Sequence, residues 1–161
     1  MKRLPVLLLV LACSGAALAQ PLAVRAPLSL VNDSRINDDA GTAYQAYPAL
    51  AKHPAGTLMI VWTDARNGNN DVYGMVYGRN GQPFPGRPNM RVNDDAGTAN
   101  QSNPDVAMNG RGHALVVWQD LRNGNRDIYG QWFRANGDTM GSNFRVNRDA
   151  STDPLATETD Q

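Results

Sequence analysis

A tandem repeat governs what this 161-residue chain can become. Arg35-Ile36-Asn37-Asp38-Asp39-Ala40-Gly41-Thr42-Ala43 returns as Arg91-Val92-Asn93-Asp94-Asp95-Ala96-Gly97-Thr98-Ala99, and begins a third time as Arg145-Val146-Asn147-Arg148-Asp149-Ala150. Val61-Trp62-Thr63-Asp64-Ala65-Arg66-Asn67-Gly68-Asn69-Asn70-Asp71-Val72-Tyr73-Gly74 returns as Val117-Trp118-Gln119-Asp120-Leu121-Arg122-Asn123-Gly124-Asn125-Arg126-Asp127-Ile128-Tyr129-Gly130. The offset is 56 positions at the tryptophans and 54 between Arg91 and Arg145, because Gln82–Met90 is two residues longer than Asp138–Phe144. A period of this length marks a repeat architecture, in which each unit hides its apolar faces against its neighbours.

The turn chemistry says what one unit is. Asn-Gly stands at 67–68, 80–81, 109–110, 123–124 and 136–137, with Pro54-Ala55-Gly56 in place of 109–110 in the first unit. Asn-Gly between apolar runs signals a two-residue type I′ hairpin, whose central residues both need φ > 0. Three hairpins per unit imply four strands. They are expected at Pro48–Lys52, Thr57–Asp64, Asp71–Gly78 and Pro88–Asn93, and again at Pro104–Met108, His113–Asp120, Asp127–Arg134 and Ser142–Asn147. Leu58-Met59-Ile60-Val61-Trp62 is apolar on both faces, as a buried central strand requires. Ser29–Asn37 reads as one further fourth strand without its own first three. The expected fold is all-β: two tandem four-stranded antiparallel blades of the propeller type. A β-sandwich of eight or nine strands competes, but near-identical units favour the propeller.

The N-terminus reads as an address. Lys2 and Arg3 precede the apolar run Leu4–Ala12, and Ala17-Leu18-Ala19 is a small-residue cleavage site before Gln20. That is the pattern of a secretory signal peptide over residues 1–19. Val10-Leu11-Ala12-Cys13 also resembles a lipobox, which would instead anchor a lipoprotein through Cys13. The first route gives a secreted or periplasmic protein, and the anchored lipoprotein is the alternative. No segment has the run of about 20 apolar residues that a helical membrane span needs. The division that follows is leader 1–19, strand and linker 20–47, first repeat 48–93, linker and second repeat 94–147, and a tail 148–161 that opens like an incomplete third repeat.

Fifteen basic and fifteen acidic residues balance, which argues against a nucleic-acid partner. One cysteine excludes a disulfide framework and a cysteine zinc cluster. Two blades leave sheet faces and edges open, and propellers typically close with four to eight blades. The partners expected are therefore missing blades of a longer chain or further copies of this one, with carbohydrate as a candidate ligand.

The string P-x7-G-x4-V-W-x-D-x-R-N-G-N-x-D-[VI]-Y-G followed by R-[IV]-N-x-D resembles repeats of the sialidase-like (BNR-type) propellers of secreted bacterial proteins. The resemblance spans about Ser29–Ala150 and implies the fold, not the activity. Sialidase chemistry takes an arginine cluster and a Tyr–Glu pair. The chain's single Glu is Glu158, in the tail, and the Ser/Thr-x-Asp-x-Gly turn is missing. The expected function is thus a non-catalytic binding or surface-interaction module, with no catalytic residues assigned. The alternative is a fragment of a secreted glycan-active enzyme.

Two repeated clusters are candidate sites. Asp64, Asn67, Asn69 and Asp71, with Asp120, Asn123, Asn125 and Asp127, gather oxygen ligands of the kind Ca2+ takes, although the spacing misses the EF-hand pattern. A plain reading of the same loops is a turn in which the carboxylates accept loop N–H groups and Arg66 pairs with one of them. Tyr73 and Tyr129, with Arg66 and Arg122, are the candidate ligand contacts, the rings being able to stack on a sugar. Trp62 and Trp118 read as core.

Overall fold

The structure is a computed structural model, and it describes residues 34–148. The leader at 1–19, Cys13, Ser29–Asp33, the tail from Asp149 and Glu158 lie outside those residues. The chain from Arg35 onward forms one unit. It holds eight strands: β1 (Gln45–Lys52), β2 (Leu58–Asp64), β3 (Asp71–Tyr77), β4 (Met90–Arg91), β5 (Gln101–Met108), β6 (Ala114–Asp120), β7 (Asp127–Phe133) and β8 (Thr139–Arg145). They make two four-stranded antiparallel meanders, β1-β2-β3-β4 and β5-β6-β7-β8, and no helix occurs among the described residues.

All six hairpins close in one way, and it is not the type I′ turn. The N–H of a left-handed glycine donates to the carbonyl three residues back: Gly56 to His53, Gly68 to Ala65, Gly81 to Gly78, Gly112 to Asn109, Gly124 to Leu121 and Gly137 to Arg134. Among the described residues only Tyr47 and Asn103 are non-glycines at positive φ, so the Asn of each Asn-Gly pair stays outside the left-handed region. The turn is four residues long, and glycine at its last position carries the φ that a Cβ would oppose. In the 109–110 pair the decisive glycine is the next one, Gly112. Gly110 has the place of Pro54.

Strand bounds depart from expectation where proline intervenes. The first strand of each sheet starts three residues before its proline, at Gln45 and Gln101. Pro48 and Pro104 sit at a bulge in the pairing with the next strand, where a residue without an N–H breaks no ladder bond. Tyr47 and Asn103, at φ 54° and 53°, make the kink. The fourth strand, expected at Pro88–Asn93, shrinks to Met90–Arg91, whereas β8 runs seven residues over Thr139–Arg145. Pro83, Pro85 and Pro88 explain the difference, since none can donate to a ladder. Arg35–Asn37, expected in a strand, is unpaired coil. It stands where Arg91–Asn93 stand in the next repeat but has no third strand beside it.

The two sheets stack face to face. Met59, Val61, Val72 and Val76 point from one face of the first sheet into Val106, Val116, Trp118 and Phe133 of the second, and Val92 closes the same core. The opposite face of the first sheet carries a smaller cluster of Trp62, Tyr73 and Met75 packed with Ile36, Ile60 and Tyr77. Because β2 is apolar at every position from Leu58 to Trp62, both of its faces find apolar company. The second sheet alternates instead: along β6, Ala114, Val116, Trp118 and Asp120 are buried while Leu115, Val117 and Gln119 are only partly so.

Candidate functional site

The repeated loop after the second strand is built around a buried carboxylate. Asp64 ends β2, wholly buried, and accepts from Trp62 Nε1 at 2.9 Å, from Arg66 N at 3.0 Å and from Arg66 Nη2 at 2.7 Å. Asp120 does the same with Trp118 Nε1 at 2.9 Å, Arg122 N at 2.9 Å and Arg122 Nη2 at 2.8 Å, and adds Gln101 Nε2 at 3.3 Å. The tryptophan two residues earlier lies on the same strand face as its aspartate, which lets the indole reach forward along the strand. The other nitrogen of each guanidinium reaches a more exposed carboxylate from the preceding linker: Arg66 to Asp38 at 2.6 Å and Arg122 to Asp94 at 2.8 Å. Asn89 and Asn143 receive the N–H of Asp38 and Asp94 in turn.

The tyrosine rings belong to the same assembly. The Arg66 guanidinium carbon lies 4.3 Å from the Tyr73 ring centroid, and that of Arg122 lies 4.2 Å from Tyr129. Each ring thus carries a cation on one face. Arg66 Nε and Arg122 Nε are buried without a hydrogen-bond acceptor in both repeats, as a guanidinium laid flat on a ring would leave them. Asn67 donates to Asp71 at 2.7 Å and to the Tyr73 hydroxyl at 2.9 Å; Asn123 donates to Asp127 and to the Tyr129 hydroxyl, both at 2.9 Å. The residues singled out as ligand contacts are therefore brought together, but facing one another.

The oxygen-rich residues are likewise occupied by N–H donors. Asp71 takes Asn67 on one oxygen and Asn93 at 2.8 Å on the other; Asp127 takes Asn123, Asn125 and Asn147. Asn69 donates to the carbonyl of Ala99 at 2.9 Å and to that of Asn70 at 3.5 Å. Among the described residues no three of His, Cys, Asp or Glu converge as a metal would need. A cation entering either loop would have to displace these donors. We expect that adding millimolar Ca2+ or EDTA leaves the melting temperature within one degree; a rise with Ca2+ reversed by EDTA would show the loops to be calcium sites.

Sequence reasoning did not find Asn93 and Gln101, which stitch the two sheets. Asn93 is buried, accepts Val72 N–H at 2.9 Å, and donates to Asp71 and to Gln101 Oε1 at 3.0 Å. Gln101 donates in turn to Asp95 and Asp120. The available signal was the polar repeat itself: R-[IV]-N-x-D recurs around a chain that gains nothing from charge at those places unless the groups pair.

The electrostatics follow the geometry. Burial pushes the Asp64 and Asp120 carboxyls up, but the bonds from Arg66 or Arg122, from the indole and from the backbone outweigh it, leaving both below the usual carboxylate range. Asp38 is lowered in the same balance. Asp127 is lowered by the amides of Asn123 and Asn147, and Asp138 by Arg87. A carboxyl that titrates lower folded than unfolded stabilises the fold above the unfolded value, and that contribution is lost as pH falls through the folded value. The melting temperature should therefore be level above about pH 5 and fall steeply below about pH 4. A melting temperature that is flat from pH 5 to pH 2 would show that these carboxylates are not held this way.

Comparison with known protein families, with curated proteins and with solved structures finds no match for this chain.

Proposed function

We propose that the chain is an exported, non-catalytic binding or surface-interaction module built of propeller-type blades of the sialidase-like kind. Two antiparallel four-stranded meanders stacked face to face are what consecutive blades require. The observation that carries the functional reading is where the polar groups go. Arg66, Arg122, Tyr73, Tyr129 and the loop carboxylates are all engaged with one another, so the residues best suited to chemistry act as structural fasteners. The two outward sheet faces, by contrast, are largely apolar. Contact through those faces, with carbohydrate as one class of ligand, fits the repeat better than turnover at its loops. The signal-peptide pattern at 1–19 supports export, with anchoring through Cys13 as the other route.

A direct test is to incubate the full chain with a fluorogenic sialoside and a panel of aryl glycosides while screening it on a glycan array. We expect no hydrolysis above a heat-denatured control, with any interaction appearing as retention on the array. Turnover abolished by Glu158→Gln would overturn the reading in favour of a glycan-active enzyme.

A further inference from the structure

We propose that a second copy of this chain docks head to tail, seating the outer face of its second sheet on the outer face of the first sheet. This rests on the reading above, since it assigns an occupant to the module's outward faces. The repeat supplies the template. Inside the chain, one face of the first sheet already packs on the opposite face of the second, and each half of that seam has a counterpart 56 residues away that no sheet covers among the described residues.

The donor half is made by Met59, Val61, Val72 and Val76. Its counterparts on the second sheet are Leu115, Val117, Ile128 and Trp132, apolar at every position. They share one face because Leu115 pairs with Trp132 across the ladder and Gln119 with Ile128. Val76 is 3% exposed within the seam, and Trp132 is 37% exposed outside it. The acceptor half in the second sheet includes Val106, Val116 and Trp118. Its counterparts on the first sheet are Leu50, Ile60 and Trp62, and Leu50 is 58% exposed where Val106 is 8%. Beside them lies an open pocket of about 310 Å3 lined by Ile36, Asn37, Gln45, Pro48, Ile60 and Trp62. The repeat equivalents Asn93, Gln101, Val116 and Trp118 are buried against the first sheet.

Polar partners transfer as well. Within the chain, Asn69 donates to Ala99 O, Gln101 N donates to Asn70 O, and Asn103 N donates to Thr63 Oγ1. Between copies the same bonds fall to Asn125 with Ala43, Gln45 with Arg126, and Tyr47 with Gln119. One substitution improves the match for a second copy. Where Asn70 N–H meets Asn100 internally, Arg126 would meet Tyr44, an exposed ring able to hold a guanidinium.

The seam also sets a condition. Asn93 bonds to both sheets at once. Asn147 reproduces its bonds to the preceding third strand, to Ile128 N–H and Asp127, while Asn37 stands at its position beside the following sheet. Two copies of R-[IV]-N thus compete for one place at a junction between chains, so one of them gives way on docking. Such a contact joins unlike faces, and it builds either a closed ring or an open filament.

The test uses the full chain in a Cys13→Ser background, which removes the only native thiol. Tyr47→Cys and Gln119→Cys variants are mixed and treated with a short bismaleimide. We expect the 47–119 link in the mixture, no link in either variant alone, and a ladder from the double variant. Leu50→Glu, at an exposed position, should abolish the link while leaving the melting curve of the dilute, unassembled protein unchanged, and Val117→Glu should abolish it from the other face. Links of 47 to 47 or 119 to 119, or a strict monomer by light scattering at 100 µM, would overturn the proposal. A monomer would remove the second copy as occupant and leave the non-catalytic reading intact. Glycoside turnover would remove that reading and leave this seam untouched.

Discussion

Replacing Asp120 by alanine should destabilise the fold by about 3–5 kcal/mol, the range for removing one member of a buried ion pair. The carboxylate is wholly buried, and its loss strands the indole N–H of Trp118 and the backbone N–H of Arg122, while the guanidinium nitrogen keeps Asn143 and the amide of Gln101 keeps Asp95. Asp64→Ala should cost somewhat less, because its set of donors lacks the glutamine: Gln45, the counterpart of Gln101, donates to Asp39 instead. Asp94→Ala should be nearly silent, below about 1 kcal/mol, since that carboxylate is half exposed and screened by water. Urea unfolding of the three variants at one denaturant slope measures this directly. Asp120→Ala within about 1 kcal/mol of the parent would mean that the loop is a solvated surface turn. Combining Asp120→Ala with Arg122→Ala should cost less than the sum of the two, because both changes remove the same guanidinium–carboxylate bond and the second also removes the desolvated guanidinium that the first leaves with Asp94 as its carboxylate.

The position of these carboxylates was legible in the sequence, but their employment was not. Repetition of Trp-x-Asp-x-Arg-Asn-Gly marked the loop and the neighbouring strands. Alternation and turn residues placed the eight strands to within a few residues. Proline positions shifted the bounds because a bulge lets a strand run through Pro48 or Pro104, a tertiary accommodation that local patterning does not contain. The turn type was misread for a related reason. Asn-Gly is compatible with several hairpins, and the choice between a two-residue loop and the six-residue loop that holds the Ala65–Gly68 turn is set by the register of β2 against β3, which pairs Asp64 with Asp71 directly. The pairing of Arg66 with Asp38 crosses 28 residues, and no spacing rule reaches that far. Asn93 and Gln101 are polar residues in a buried seam, and only the stacking of one sheet on the next gives them their partners.

The two tryptophans offer the sharpest comparison, because they repeat in sequence and bond alike yet face different neighbours. Each indole donates at 2.9 Å to the aspartate two residues on, so deleting either loses the same hydrogen bond. Trp118 lies at the closed seam, among Val116, Phe133 and the first sheet's Met59 and Val61. Trp118→Ala should therefore leave a sealed void between two sheets and cost about 3–5 kcal/mol. Trp62 borders the open pocket on the outward face. There the truncated site drains into space that is already accessible, the cavity contribution largely disappears, and Trp62→Ala should cost about 2 kcal/mol less than Trp118→Ala. Chemical unfolding of both variants at low micromolar concentration measures that gap. Equal costs at that dilution would mean that the outward face is as well covered as the seam. A Trp62→Ala cost that climbs toward the Trp118→Ala value as protein concentration rises would show that the cover comes from another molecule, since only an intermolecular contact makes the penalty of a core truncation depend on how many chains are present.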